Sequence, residues 1–293
     1  MGNIFIELKR RYFQGNLLFR LIFINVAVFA VASVWLILHR LFNADGYALL
    51  HYFELPSDLH QLLFRPWTLV TYMFLHTDFL HLLFNMLWLY WFGNLFLRWF
   101  TEKQLGGIYF MGGIFGGLLY ILAYNIFPMF SDVVSHAYLL GASASVLAIV
   151  VATAVRAPND AVYLMFLGAV KLKYIAMFVV ALSFFNIISE NAGGNIAHIG
   201  GAVFGFLFAY YYHRGRDLTK GINGLIDWIV DRFKPRPKKM KVRRGGREMD
   251  MEYNKQKKEK IAEIDVILDK MKHSGYDGLT AEEKKKLFNA GKK

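Results

Sequence analysis

Cysteine is absent from this 293-residue chain. That absence excludes disulfide scaffolds, thiol nucleophiles, thiolate zinc sites and iron–sulfur clusters. Charge is scarce over most of the length: residues 1–213 hold 11 Lys and Arg and 9 Asp and Glu. The remaining 80 residues carry 23 basic and 13 acidic side chains, and so most of the formal charge of +12. An apolar body of almost no net charge with a basic polar tail is neither a single water-soluble globule nor a disordered chain, and its main identity is not that of a DNA-binding domain. The pattern His-Glu-x-x-His is missing, which argues against a zinc protease. Aspartate is missing from the interior of every long apolar run, which excludes a paired-aspartate protease. No metal and no cofactor is expected.

What the chain does have is apolar sequence. Hydrophobic residues make up 56% and the mean hydropathy is +0.32, against roughly 45–50% apolar residues in soluble domains. A helix needs about 20 apolar residues to cross a bilayer. Six stretches are candidates: Leu17–Leu38, Leu80–Leu97, Gly106–Phe127, Leu139–Val155, Leu172–Ile188 and Ile196–Tyr212. The fold class expected is an all-α membrane protein, a six-helix bundle over 1–213. Ala161–Val170 is apolar but short, and reads as an interfacial or re-entrant piece before the fifth span. The first stretch has the charged flank of a signal peptide, Lys9-Arg10-Arg11, but its apolar run continues through Trp35–Leu38, which favours a retained helix.

Lysine and arginine placement sets the orientation. Basic residues cluster at the N-terminus, at Arg98 and Lys103, at Arg156, Lys171 and Lys173, and throughout the tail. The loops 128–138 and 189–196 contain none. Both termini are therefore expected in the cytoplasm of a multi-pass inner (plasma) membrane protein, with spans two, four and six running inward.

Those three spans carry polar groups. Span two has His76, His81 and Asn85; span four has Gly141-Ala142-Ser143-Ala144-Ser145; span six has Ala197-His198 with Gly201 and Gly205. Asn85 lies 13 residues before Arg98, and Ser143 lies 13 before Arg156. At 1.5 Å per residue each is about 20 Å above its basic anchor, and His198 is roughly 24 Å above Arg214. One layer thus holds a hydroxyl, an imidazole and an Asn/His pair. Serine becomes a nucleophile when a base within hydrogen-bond reach takes its proton. His198 is the candidate base. Asn85, His81 and the Ser143 backbone N–H are candidate donors to an oxyanion. Each residue also has a plainer reading. Span serines such as Ser33, Ser145 and Ser183 commonly bond their own backbone, Asn85 can join helices, and His76 reads as a loop-shaping residue. The small-residue faces Gly201/Gly205, Gly112/Gly116, Gly113/Gly117 and Ala144/Ala148/Ala152 allow backbones to approach closely.

Taken in order, His76-x-x-x-x-His81-x-x-x-Asn85, Gly141-Ala142-Ser143 and Ala197-His198-x-x-Gly201-x-x-x-Gly205 resemble the motifs of the rhomboid family of intramembrane serine proteases, in its bacterial form. The resemblance covers most of 1–213. It implies a serine endopeptidase with Ser143 as nucleophile, His198 as base, oxyanion contacts from His81 and Asn85, and no acidic third member. The partners it implies are the bilayer and single-span membrane proteins cut near the outer face. Two positions depart from the pattern: Ala144 follows the serine where glycine is frequent, and Leu147 stands where an aromatic often faces the histidine. A rhomboid-like protein that binds membrane clients with little or no catalysis is the alternative. A six-span transporter would bring inverted repeats and broken helices, and neither is visible.

The tail divides in two. Over 214–250, Leu218, Ile222, Leu225, Ile226, Ile229 and Phe233 recur at helical spacing with Trp228, which reads as an interfacial helix. It is followed by a basic linker, Lys234–Arg247, attracted to anionic lipid by about 1 kcal/mol per basic residue. Over 251–293, the stripe Ile261, Ile264, Ile267, Leu268 and Met271, the turn Gly275–Gly278 and the capping box Thr280-x-x-Glu283 read as a cytoplasmic helical hairpin. No nucleic-acid partner is needed to explain the basic charge.

Overall fold

The computed structural model describes residues 15–164, 168–233 and 246–291. Lys9, Arg10 and Arg11 lie outside the described residues, as does the basic linker up to residue 245. The chain forms two compact units, 1–233 and 234–293.

Among the described residues, six apolar helices of 14 residues or more build the first unit: α1 (Leu17–Leu41), α2 (Phe79–Phe96), α3 (Glu102–Ile126), α4 (Ser143–Arg156), α5 (Leu172–Phe185) and α6 (Ala192–Tyr212). Helices α1, α2, α3 and α6 are each long and apolar enough to cross a membrane. Helices α4 and α5 have 14 residues each, about 21 Å of rise. The protein is an all-α multi-pass membrane bundle. Its outer surface is apolar too: Val31 is 72% exposed and Phe185 78%, which in a bilayer is the lipid face.

The ends of several helices fall elsewhere than the hydropathy pattern places them. The fourth begins at Ser143, not Leu139, because Tyr138 and Leu139 form strand β2, which pairs antiparallel with β1 (Leu55–Pro56). Gly141 then takes φ +112°, a turn open to glycine at low cost. The fifth ends at Phe185 rather than Ile188, and the sixth begins at Ala192, four residues before Ile196. The short stretch expected to be an interfacial or re-entrant piece contains two antiparallel strands, β3 (Ala161–Leu164) and β4 (Gly168–Lys171), with Val162 opposite Val170. Val162, Tyr163 and Val170 suit a strand.

Glycine governs the centre of the bundle. A side chain on Gly201 would overlap the Ala144 carbonyl, and one on Gly205 the Ala148 carbonyl. Gly116 would place its Cβ 2.7 Å from the Ala197 carbonyl oxygen. Helices α3, α4 and α6 therefore meet backbone to backbone. A buried polar chain joins α1 to α3: Asn25 donates to Tyr109 Oη at 3.1 Å, and Tyr109 donates to the Met73 carbonyl at 3.1 Å.

The loop between α1 and α2 is tied to the segment ahead of α4. Ser57 donates through Oγ to the Val134 carbonyl at 2.7 Å and through its N–H to the Ala137 carbonyl at 3.1 Å. Asn125 on α3 donates to the Ser57 carbonyl at 2.8 Å. Below α3, helix α7 (Lys220–Phe233) packs against its first turns, with Lys103 paired to Asp227 at 2.7 Å. Asp217 accepts from Gln104 at 2.9 Å and from the Thr219 hydroxyl and N–H. Burial opposes the Asp217 charge, but these hydrogen bonds outweigh it and hold the carboxyl below its ordinary value.

In the second unit, α8 (Gly246–Ser274) begins inside the stretch assigned to the linker and runs for 29 residues. It is followed by α9 (Ala281–Ala290), which opens on the Thr280/Glu283 capping box. Ile267 and Leu279 are buried between them, and Lys270–Glu283 and Lys286–Glu263 pairs tie the two together.

Two outcomes follow from this packing. Gly201→Val should lower the stability of the bundle by about 1–3 kcal/mol, seen as a lower Tm in detergent; an unchanged Tm would contradict the backbone contact. Because the Asp217 pKa is depressed in the folded state, its stabilisation is present at neutral pH and fades as pH falls below about 4. Proteolysis at Lys220 should therefore accelerate on acidification in the wild type. In Asp217→Ala it should already be fast at pH 7. A junction equally resistant in both proteins would contradict the role.

Candidate active site

Ser143 is the first residue of α4, and its N-cap, Ala142, offers no side-chain acceptor. Among the described residues, the N–H groups of Ser143, Ala144 and Ser145 have no intramolecular acceptor. Unpaired first-turn donors and the helix dipole favour negative charge at that point. The turn that delivers Ser143 is fixed on two sides. Gly141 donates its N–H to the Tyr72 carbonyl at 2.9 Å, and Tyr72 Oη donates to the Gly113 carbonyl at 2.7 Å. Ala142 donates its N–H to His76 Nε2 at 3.4 Å. His76 is fully buried, and it holds the loop ahead of the serine, as its position suggested.

His198 sits six residues into α6, about two turns below its start. Ser143, His198, His81 and Asn85 line one cavity of about 290 Å³, together with Trp88, Leu147, Val179 and Asn191. The structure thus brings all four sequence candidates together, contributed by α2, α4 and α6. No hydrogen bond joins Ser143 to His198 among the described residues.

The two candidate donors from α2 are placed by their own helix. Asp78 caps α2 by accepting the His81 N–H at 2.7 Å. Asn85 gives one amide hydrogen to the His81 carbonyl at 2.9 Å, which leaves the other for a ligand. The His81 ring lies against Gly141, where a Cβ would come within 2.8 Å of Cε1. The glycine thus serves both the positive φ and the space the ring needs.

The departures at Ala144 and Leu147 have structural counterparts. The Ala144 methyl is accommodated by Gly116 opposite, where a second Cβ would approach to 2.6 Å. Leu147 is buried and lines the cavity with His198. Ser145 is fully buried, its hydroxyl has no partner among the described residues, and it points toward Gly113 rather than the cavity.

One residue of the site was passed over at the level of sequence. Ser183 on α5 donates to the Val179 carbonyl at 3.0 Å, as a span serine does, but its Oγ also lies 3.1 Å from His198 Nδ1. Its depth carried a signal: it stands 12 residues above Lys171, about 18 Å, close to the layer of the other polar groups.

Comparison with known proteins agrees with this architecture. A family model described as the Rhomboid domain matches residues 64–215, just over half of the chain. A second, described as a family of unknown function (DUF6576), matches residues 247–293. The chain is similar to RHOMBOID-like protein 12, mitochondrial, of Arabidopsis thaliana, at 29% identity over 147 residues. The match covers 47% of this chain and 44% of that relative, so the chain spans less than half of the relative's length. The motif-bearing helices, the cavity they enclose and the extent of the domain match lead to one conclusion: the chain belongs to the rhomboid family.

Proposed function

We propose that the protein is an intramembrane serine endopeptidase that cuts single-span membrane proteins near the outer membrane face. The observation that carries this reading is the meeting of Ser143, His198, His81 and Asn85 in one cavity at the N-terminus of the short helix α4. Peptide hydrolysis needs water, and a helix of about 21 Å starts well inside a core of about 30 Å. A partly unwound substrate segment enters the cavity from the outer side. His198 takes the Ser143 proton as Oγ attacks the scissile carbonyl. Asn85, His81 and the N–H groups of the first turn of α4 stabilise the oxyanion. The protonated His198 then gives its proton to the leaving amine, and water, deprotonated in turn by His198, releases the acyl group. The Ser143–His198 hydrogen bond belongs to the Michaelis complex, in which catalytic hydrogen bonds tighten.

The orientation belongs to the same proposal. The Lys and Arg bias supports both termini on the cytoplasmic side of the plasma membrane. Arg156 over Trp99 at 4.7 Å and Arg214 over Tyr210 at 4.2 Å are cation–aromatic pairs of the kind that anchor helix ends at an interface. Helix α7 would lie on the inner leaflet: Leu225, Trp228 and Ile229 are exposed on it. The hairpin of α8 and α9 would stand in the cytoplasm.

Cleavage of single-span substrates by the purified protein in liposomes tests the activity. The wild type should cut near the outer face. Ser143→Ala should abolish cutting, His198→Ala should slow it by about 10²–10⁴-fold, and Asn85→Ala by about 10²-fold. Client capture without cleavage, unchanged by Ser143→Ala, would establish the non-catalytic alternative, which Leu147 favours. The lack of native cysteine makes the topology simple to check. A membrane-impermeant maleimide applied to intact cells should label Ser131→Cys and spare Lys272→Cys. The reverse pattern would invert the orientation.

A further inference from the structure

We propose that Ser183 is a positioning residue for His198, fixing the imidazole as the Nδ1–H tautomer so that Nε2 is left to act as base. This rests on the proteolytic reading above. The hydroxyl of Ser183 has one hydrogen and two acceptor lone pairs. With its hydrogen on the Val179 carbonyl four residues earlier, at 3.0 Å, the same oxygen accepts in its 3.1 Å contact with His198 Nδ1, which then carries the proton. A histidine with Nδ1–H bonded presents an unprotonated Nε2. Among the described residues, Nε2 has no intramolecular partner, and His198 lines the cavity that holds Ser143.

The arrangement does for this histidine what a carboxylate does in a three-membered catalytic set, with a dipole in place of a charge. When Nε2 takes the Ser143 proton, the ring becomes an imidazolium. Its Nδ1–H still points at the Ser183 oxygen, and no proton leaves Ser183. A carboxylate here would be costly to bury in the membrane interior, whereas a hydroxyl already bonded to its own helix is not. Ser183 is itself buried, with 4% of its surface exposed, so water does not compete freely for the contact. It also comes from α5, a helix that contributes none of the other four polar groups.

The test uses the full-length protein in detergent with a cleavable single-span substrate, and ¹⁵N-histidine spectra of the same samples. The His198 signals are assigned by their loss in His198→Gln. The wild-type ring should be protonated at Nδ1. In Ser183→Ala it should become a mixture of tautomers, and kcat should fall about tenfold to a hundredfold with KM and Tm little changed. Ser183→Thr, whose hydroxyl can make the same backbone bond, should recover most of the rate, and its isostere Ser183→Val should not. Turnover of Ser183→Ala equal to wild type, a wild-type ring protonated at Nε2, or Val performing as well as Thr would each overturn the role of Ser183. A wild-type protein that cleaves nothing would overturn the proteolytic reading instead, while the tautomer spectra would still decide whether Ser183 sets the ring.

Discussion

The contact on which the rest depends is backbone against backbone between α4 and α6. Lipid chains are as apolar as leucine, so helices in a bilayer gain little from burying leucine against leucine. They gain from close approach. Gly201 and Gly205 face the carbonyls of Ala144 and Ala148 with no room for a side chain, and Gly116 of α3 closes the same junction against Ala197. The proposed nucleophile and base are placed by this packing. Ser143 is the residue before Ala144, and His198 is three residues before Gly201, on the same face of its helix. The helix contact therefore fixes both positions.

The second constraint is the length of α4. A bilayer admits exposed backbone only where it is buried in protein or lines a water-filled cavity. At fourteen residues α4 is shorter than a hydrocarbon core of about 30 Å. The extended segment with β2, held by β1, Ser57 and Asn125, leads into it. The first N–H groups of α4 are unpaired by any cap, and it is at this point that the serine stands. A helix continued up to Leu139 would have paired those donors.

The sequence made the apolar helices and the four cavity residues legible, because the signals involved are composition, fixed spacing and depth. Asn85, Ser143 and His198 could be put in one layer from residue counts alone. Helix ends were less legible. Tyr138 and Leu139 are as apolar as a span requires, and only their pairing with Leu55 and Pro56, more than 80 residues earlier, makes them a strand. The strands β3 and β4 were hidden for a similar reason, since a short apolar run does not declare its period. Ser183 was hidden by its ordinariness: its bond to Val179 is what any serine in a span makes, and its contact with His198 depends on how α5 packs beside α6.

If α4 and α6 together make a working nucleophile and base, one serine in the protein must be more reactive than all the others. Mapping the site of reaction with a fluorophosphonate, by peptide mass spectrometry of the folded protein, measures this directly. The adduct should sit on Ser143, be absent from Ser145 two residues away, and disappear when His198 is replaced by alanine. No adduct on the wild type, an adduct on Ser145, or labelling of Ser143 that survives the loss of His198 would show that the cavity does not activate its serine.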